Sequence, residues 1–127
     1  MKLKFDKLKQ KKNIKGNVVK YLNPKNKYLK VIKEVYLSEL KPKTTKAWKI
    51  NFTCDQYLTN LDGEFIFYYK KNLNEKKKQK KMNVYDAVFI PKKVFYGFKN
   101  NSKKRSLILN SLEVEHQKCN FGTAVFK

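Results

Sequence analysis

Side chains able to do chemistry are sparse along these 127 residues. His116 is the only histidine, so a multi-histidine metal site cannot be assembled, and no cluster of carboxylates takes its place. A metal-dependent dioxygenase is therefore not expected. Cys54 and Cys119 form no CxxC pair and lie in no activating motif, which reads them as packed small residues with free thiols. Glu113 and Glu115 flank Val114 at strand spacing, which puts both carboxylates on one solvated face rather than in a catalytic pair. His116 beside them is read as structural, with a ligand contact as the alternative. Gly16, Gly63, Gly97 and Gly122 are too scattered to cradle a phosphate, and there is no GxSxG elbow.

The remaining chemistry is cationic. Thirty-one Lys plus Arg against ten Asp plus Glu gives a net charge of +21, yet thirty of those cations are Lys and one is Arg105. A basic excess attracts polyanions through counterion release, but readers of base edges favour the planar fork of Arg. The Lys excess accompanies thirteen Asn and many Ile, Phe and Tyr, the slant of an A/T-rich coding sequence. Lys76, Lys77, Lys78, Lys80 and Lys81, gripping phosphates beside stacking aromatics, make nucleic-acid binding the competing reading. Compositional bias is preferred, and nucleic acid is not the expected partner.

Short strands must position whatever site exists. A single domain over residues 1–127 is expected, since 41% hydrophobic and 14% aromatic residues suffice for one core. Leu3 to Phe5 alternates with lysine, Asn13 to Gly16 supplies a turn, and Val18 and Val19 follow. Tyr28 to Leu40, between Pro24 and Pro42, reads as a long strand bent near Lys33, and Thr44 to Phe52 continues the β pattern. Asp62-Gly63 predicts a two-residue type I′ hairpin turn between YLTNL and EFIFYY, and Glu75 to Lys81 a solvated loop or hairpin tip. Ala87 to Pro91, Val94 to Phe98 and Ser106 to Leu112 are three more strands. No segment has helical periodicity, so the expectation is an all-β domain of about nine to eleven strands, two sheets rolled into a barrel-like sandwich. No apolar run approaches the roughly 18 residues of a membrane span, and the N-terminus lacks the apolar core of a signal peptide. A cytoplasmic protein without membrane insertion is expected.

Six stretches carry a family resemblance: GNVVKYL (Gly16 to Leu22), EVYLSELKP (Glu34 to Pro42), KAWK (Lys46 to Lys49), LDGEFIFYY (Leu61 to Tyr69), IPKKVFYGF (Ile90 to Phe98) and SLILN (Ser106 to Asn110). In that order they resemble the dTDP-4-dehydrorhamnose 3,5-epimerase family of cupins, which is related to the nucleotide-sugar 3,4-ketoisomerases. The resemblance implies a metal-free, cofactor-free cupin jelly-roll barrel that holds a nucleotide-linked 4-keto-6-deoxy sugar in its mouth. It implies proton transfer beside the sugar carbonyl, with a base, an enolate-stabilising group and an acid. It also implies a homodimer that exchanges N-terminal strands around Val18 to Leu40.

The chain departs from that family where the chemistry is done. The base histidine of the epimerases falls at Lys49, and the two histidines of the ketoisomerases at Lys49 and Asn51. The active-site lysine falls at Gln56, the histidine before Gly-Phe at Tyr96, and the tyrosine acid near Leu109. Two accounts follow. In one, Lys49 is the base, its pKa lowered by burial, and Tyr96 the acid; in the other the pocket binds a nucleotide sugar with altered or no catalysis. Lys15, Lys46, Trp48, Asn51, Gln56 and His116 complete the site as substrate-binding residues, with core or pocket wall preferred over direct sugar stacking for Trp48. Lys46 and Lys49 are three positions apart, so on a regular strand only one of them, Lys49, enters the barrel.

Overall fold

Residues 2–22 and 29–114 are described by a computed structural model, and all regular structure among them is β. Eleven strands run in chain order: β1 (Lys4–Lys7), β2 (Gln10–Lys11), β3 (Val18–Val19), β4 (Glu34–Leu40), β5 (Thr44–Lys49), β6 (Gln56–Asp62), β7 (Phe65–Lys70), β8 (Lys78–Met82), β9 (Asp86–Ile90), β10 (Phe95–Asn100) and β11 (Ser106–Leu112). They form a five-stranded sheet in the order β1-β9-β6-β11-β4, a four-stranded sheet in the order β5-β10-β7-β8, and the small pair β2-β3. Every described pairing is antiparallel. No described pairing joins the two large sheets, so the expected barrel is, among the described residues, an open sandwich.

Alternation within the strands dictates what lies between the sheets. Leu58, Phe65, Phe67, Val88, Ile90, Phe98 and Ile108 occupy the inward rows and form the core with Leu40, Met82 and Tyr96. Phe67 is its centre, 5.9 Å from the ring of Phe5 and 6.2 Å from that of Tyr96. The opposite face of the larger sheet is covered by its own N-terminal segment. There Leu8, Val19, Tyr21 and Leu22 pack on Tyr57, Ala87 and Phe89, and the Tyr21 hydroxyl donates to the carbonyls of Tyr57 and Leu109 at 2.6 and 3.2 Å. That cover stops short of the edge strand β4, where Val35 and Leu37 remain 53% and 57% exposed.

Three local expectations need correction. Asp62-Gly63 makes a corner between sheets rather than a hairpin: β6 pairs with β9 and β11, and β7 with β8 and β10. Gly63 has φ +76° and Asp62 a negative φ, which excludes type I′. A Cβ at Gly63 would meet the Arg105 carbonyl at 2.5 Å, so glycine is needed there for the close approach as well as for its φ. The lysine run is a hairpin tip only over residues 75–77, in the connection between β7 and β8, because Lys78 to Met82 pairs with β7 as an edge strand, its lysines facing water and Met82 closing the core. Cys54 is buried and disulfide-bonded, not a free thiol; linear spacing carries no information about which sulfurs the fold brings together.

Candidate functional site

The inward rows change character toward one end of the sandwich. On β11, Ile108 gives way to Asn110; on β6, Leu58 to Gln56; on β10, Phe98 to Tyr96. All three polar residues are buried, as is Asn51 just beyond β5, and a polar side chain in that position must find hydrogen bonds within the protein.

They find them in one directed chain. The Tyr96 hydroxyl and Asn51 Nδ2 both donate to Gln56 Oε1, at 3.0 and 2.9 Å. Gln56 Nε2 in turn donates to Asn110 Oδ1 at 2.7 Å, and Asn110 Nδ2 to Ser38 Oγ at 3.1 Å. The network crosses from β10 through β6 and β11 to β4 and therefore ties the two sheets together. One buried acceptor, Asn51 Oδ1, carries no hydrogen bond. Burial pushes the Tyr96 hydroxyl far above the ordinary tyrosine pKa, with Tyr36 adding to the shift, so this phenol keeps its proton. Tyr36, whose backbone lies opposite Asn110, is pushed up to about 12, chiefly by burial and then by Glu34 and Tyr21.

Lys49 stands beside this network. Its backbone is opposite Tyr96, and its Nζ lies 5.9 Å from the centroid of the Phe98 ring. It is half-buried, and desolvation followed by the neighbouring Lys46 ammonium lowers its pKa. Among the described residues Lys49 Nζ makes no hydrogen bond and no ion pair.

The expectation that Lys46 and Lys49 point to opposite faces needs correction, and a bulge is the reason. Lys49 is opposite Tyr96 and Lys46 opposite Phe98, so three residues of β5 span two of β10, and the extra residue returns Lys46 to the row of Lys49. Lys46 Nζ then reaches across to the edge of the other sheet and donates to the Glu39 carbonyl at 3.2 Å.

The structure thus brings together Lys46, Lys49, Asn51, Gln56 and Tyr96. It does not bring Trp48 and Lys15 to them. Trp48, neighbouring Lys49, takes the other face of its sheet; it is 0% exposed, with the ammonium of the equally buried Lys70 4.6 Å from its ring. Lys15 is exposed at the turn between β2 and β3. His116 and Glu115 lie outside the described residues, while Glu113 is raised in pKa, by burial first and then by the adjacent Asp55. The sequence reading missed Ser38, Tyr36 and Asn110. A signal for Asn110 existed, since an amide alternating with Ile108 and Leu112 breaks an otherwise apolar row.

A base, a protonated phenol and a set of amides around one end of a sandwich can move a proton beside a polarised carbonyl. No family model and no curated protein matches this chain. Solved structures do match its fold. It is similar to a dTDP sugar isomerase from Desulfovibrio desulfuricans, with TM-score 0.85 and 21% identity over 97% of this chain and 83% of that one. It is similar to the TDP-quinovose 3,4-ketoisomerase of Campylobacter jejuni, with TM-score 0.80 and 17% identity over 96% and 92% of the two chains. A mutant 3,4-ketoisomerase from Thermoanaerobacterium thermosaccharolyticum in complex with TDP-4-keto-6-deoxyglucose matches with TM-score 0.76 and 15% identity over 91% and 83%.

Proposed function

We propose that this chain is a nucleotide-sugar epimerase or isomerase of the cupin class, acting on a dTDP-linked 4-keto-6-deoxy sugar in surface-polysaccharide biosynthesis, with Lys49 in the place of the usual histidine. The observation that carries the reading is the change of the inward rows from hydrocarbon to Gln56, Tyr96 and Asn110 where Lys49 stands. Likeness in fold to dTDP-sugar isomerases supports the substrate class.

In this reading the uncharged Lys49 amine takes the C–H proton beside the sugar carbonyl, helped by its lowered pKa. The buried Tyr96 hydroxyl, which holds its proton, is the acid that returns one. Lys46, cationic and at the edge, meets the developing oxyanion or the pyrophosphate, and Asn51 and Gln56 bond sugar hydroxyls. A jelly-roll domain over residues 1–127 that pairs as a homodimer belongs to the same proposal. The exposed Val35 and Leu37 on β4, an edge strand among the described residues, support the dimer.

The test is a proton NMR time course of the purified protein with dTDP-4-keto-6-deoxyglucose in heavy water. Protein-dependent loss of the C3 or C5 proton signal is the expected result. Binding of the sugar nucleotide with no exchange would reduce the proposal to a non-catalytic pocket, and absence of binding would overturn it.

A further inference from the structure

We infer that Lys49 is a covalent nucleophile whose Nζ bonds to the ketone carbon of the sugar to form an imine. The inference rests on the keto-sugar reading above and replaces direct proton abstraction by Lys49 with a different use of the same amine.

Three features of the surroundings point to it. Among the described residues Lys49 Nζ finds neither carboxylate nor carbonyl, so no anionic or carbonyl partner there holds it as an ion. It lies against the Phe98 ring at 5.9 Å, and the bulge in β5 places a second ammonium, that of Lys46, in the same row. Desolvation beside another cation is the setting in which a lysine becomes a nucleophile toward carbonyls. Lys46 itself is anchored to the Glu39 carbonyl at 3.2 Å and remains the charged neighbour. The Asn51 acceptor without a hydrogen bond, two residues along from Lys49, is available to the hydroxyl that forms on the attacked carbon.

The step balances without an outside reagent. The Nζ lone pair forms the N–C bond as the carbonyl π pair moves to oxygen, which takes up a proton while Nζ loses one, giving a carbinolamine. Its hydroxyl departs with a second proton as water, and the nitrogen lone pair closes a C=N bond that is protonated at neutral pH. That cation acidifies the C–H bonds on both neighbouring carbons, so a weak base such as the released water suffices to take the proton, and no histidine is required.

Borohydride trapping followed by mass spectrometry reads this directly. The native protein is mixed with TDP-4-keto-6-deoxyglucose, reduced, and digested, with binding measured in parallel by calorimetry. The expected result is a mass gain equal to the ligand less one oxygen, confined to the peptide carrying Lys49. It should be absent with TDP-glucose, which lacks the ketone, and absent in Lys49→Arg. Lys80→Met, on the opposite edge of the sandwich, should trap like the parent protein. Proton exchange and binding without an adduct would overturn the imine and leave Lys49 as a direct base. Adduct formation that persists in Lys49→Arg would place the nucleophile elsewhere and also overturn it. Absence of binding would overturn the keto-sugar reading and the imine together.

Discussion

The middle of the sandwich interior and its Tyr96 end are built from the same alternating rows and behave differently. In the middle the rows carry Leu58, Phe67, Phe98 and Ile108, which need only volume and shape, while at the Asp62-Gly63 corner they carry Asn60, Asn100 and Ser106, which donate only to backbone carbonyls nearby. Toward the other end they carry Gln56, Tyr96 and Asn110, which need partners, and each partner's position is fixed by a hydrogen bond to the next. The middle is held by burial and tolerates hydrophobic exchange; the Tyr96 end is held by geometry and tolerates little. A reactive group is best placed beside the second kind, because a directed network holds its orientation.

Removing the amine tests this contrast most strongly. Lys49→Met should lower proton exchange at the sugar by about 100- to 10,000-fold, the usual contribution of a positioned base, without unfolding the protein. In the parent protein the proposed proton exchange should rise with pH as Lys49 loses its proton, at lower pH than an ordinary lysine would. The same shift has a stability consequence. Between the lowered folded pKa and the usual value of 10.5 the unfolded chain holds the proton that the native state has released, so stability rises with pH through that window. Below the window burial of the charge is a constant cost. Lys49→Met removes that cost, so denaturant titrations should show the variant gaining most at neutral pH and the difference narrowing toward alkaline pH.

In the hydrocarbon middle, Phe67→Ala should destabilise by about 3–5 kcal/mol, since a fully buried ring leaves a cavity among Phe5, Tyr96 and Phe98. Urea unfolding measures it, and activity per folded molecule should hold. Gln56→Leu keeps the volume and deletes the hub. It leaves the Tyr96 hydroxyl, Asn51 Nδ2 and Asn110 Oδ1 each short of a partner, an expected loss of about 1–3 kcal/mol together with weakened sugar-nucleotide binding by calorimetry. Tyr96→Phe should cost the least stability, about 1 kcal/mol, because Gln56 Oε1 retains its bond from Asn51. If Tyr96→Phe were instead as damaging as Gln56→Leu, the phenol rather than the amide would organise this end.

Much of the scaffold could be read from residue order. Ser106 to Leu112 is β11 to the residue, and the strands around Thr44, Ala87 and Val94 fall within a few positions of their expected places. These segments alternate, carry β-branched and aromatic residues, and are bounded by turn residues, all of which are local properties. Asp62-Gly63 shows where locality fails. The turn was legible, but whether its two strands pair or enter different sheets depends on partners far away in sequence.

The site divides in the same way. Lys49, Tyr96, Asn51 and Gln56 were nameable from the sequence because their residue types stand where a family resemblance expects catalytic groups. The absence of a histidine cluster was equally plain, since composition alone decides it. Only the tertiary structure decided that Gln56 accepts from both Tyr96 and Asn51, that Asn110 and Ser38 extend the chain of bonds, and that Trp48 lies on the other side of its sheet. The placement of Lys46 beside Lys49 belongs to the second group too, because it depends on one unpaired residue in β5. A bulge is a mismatch between two strands, and neither strand's sequence contains the count of the other.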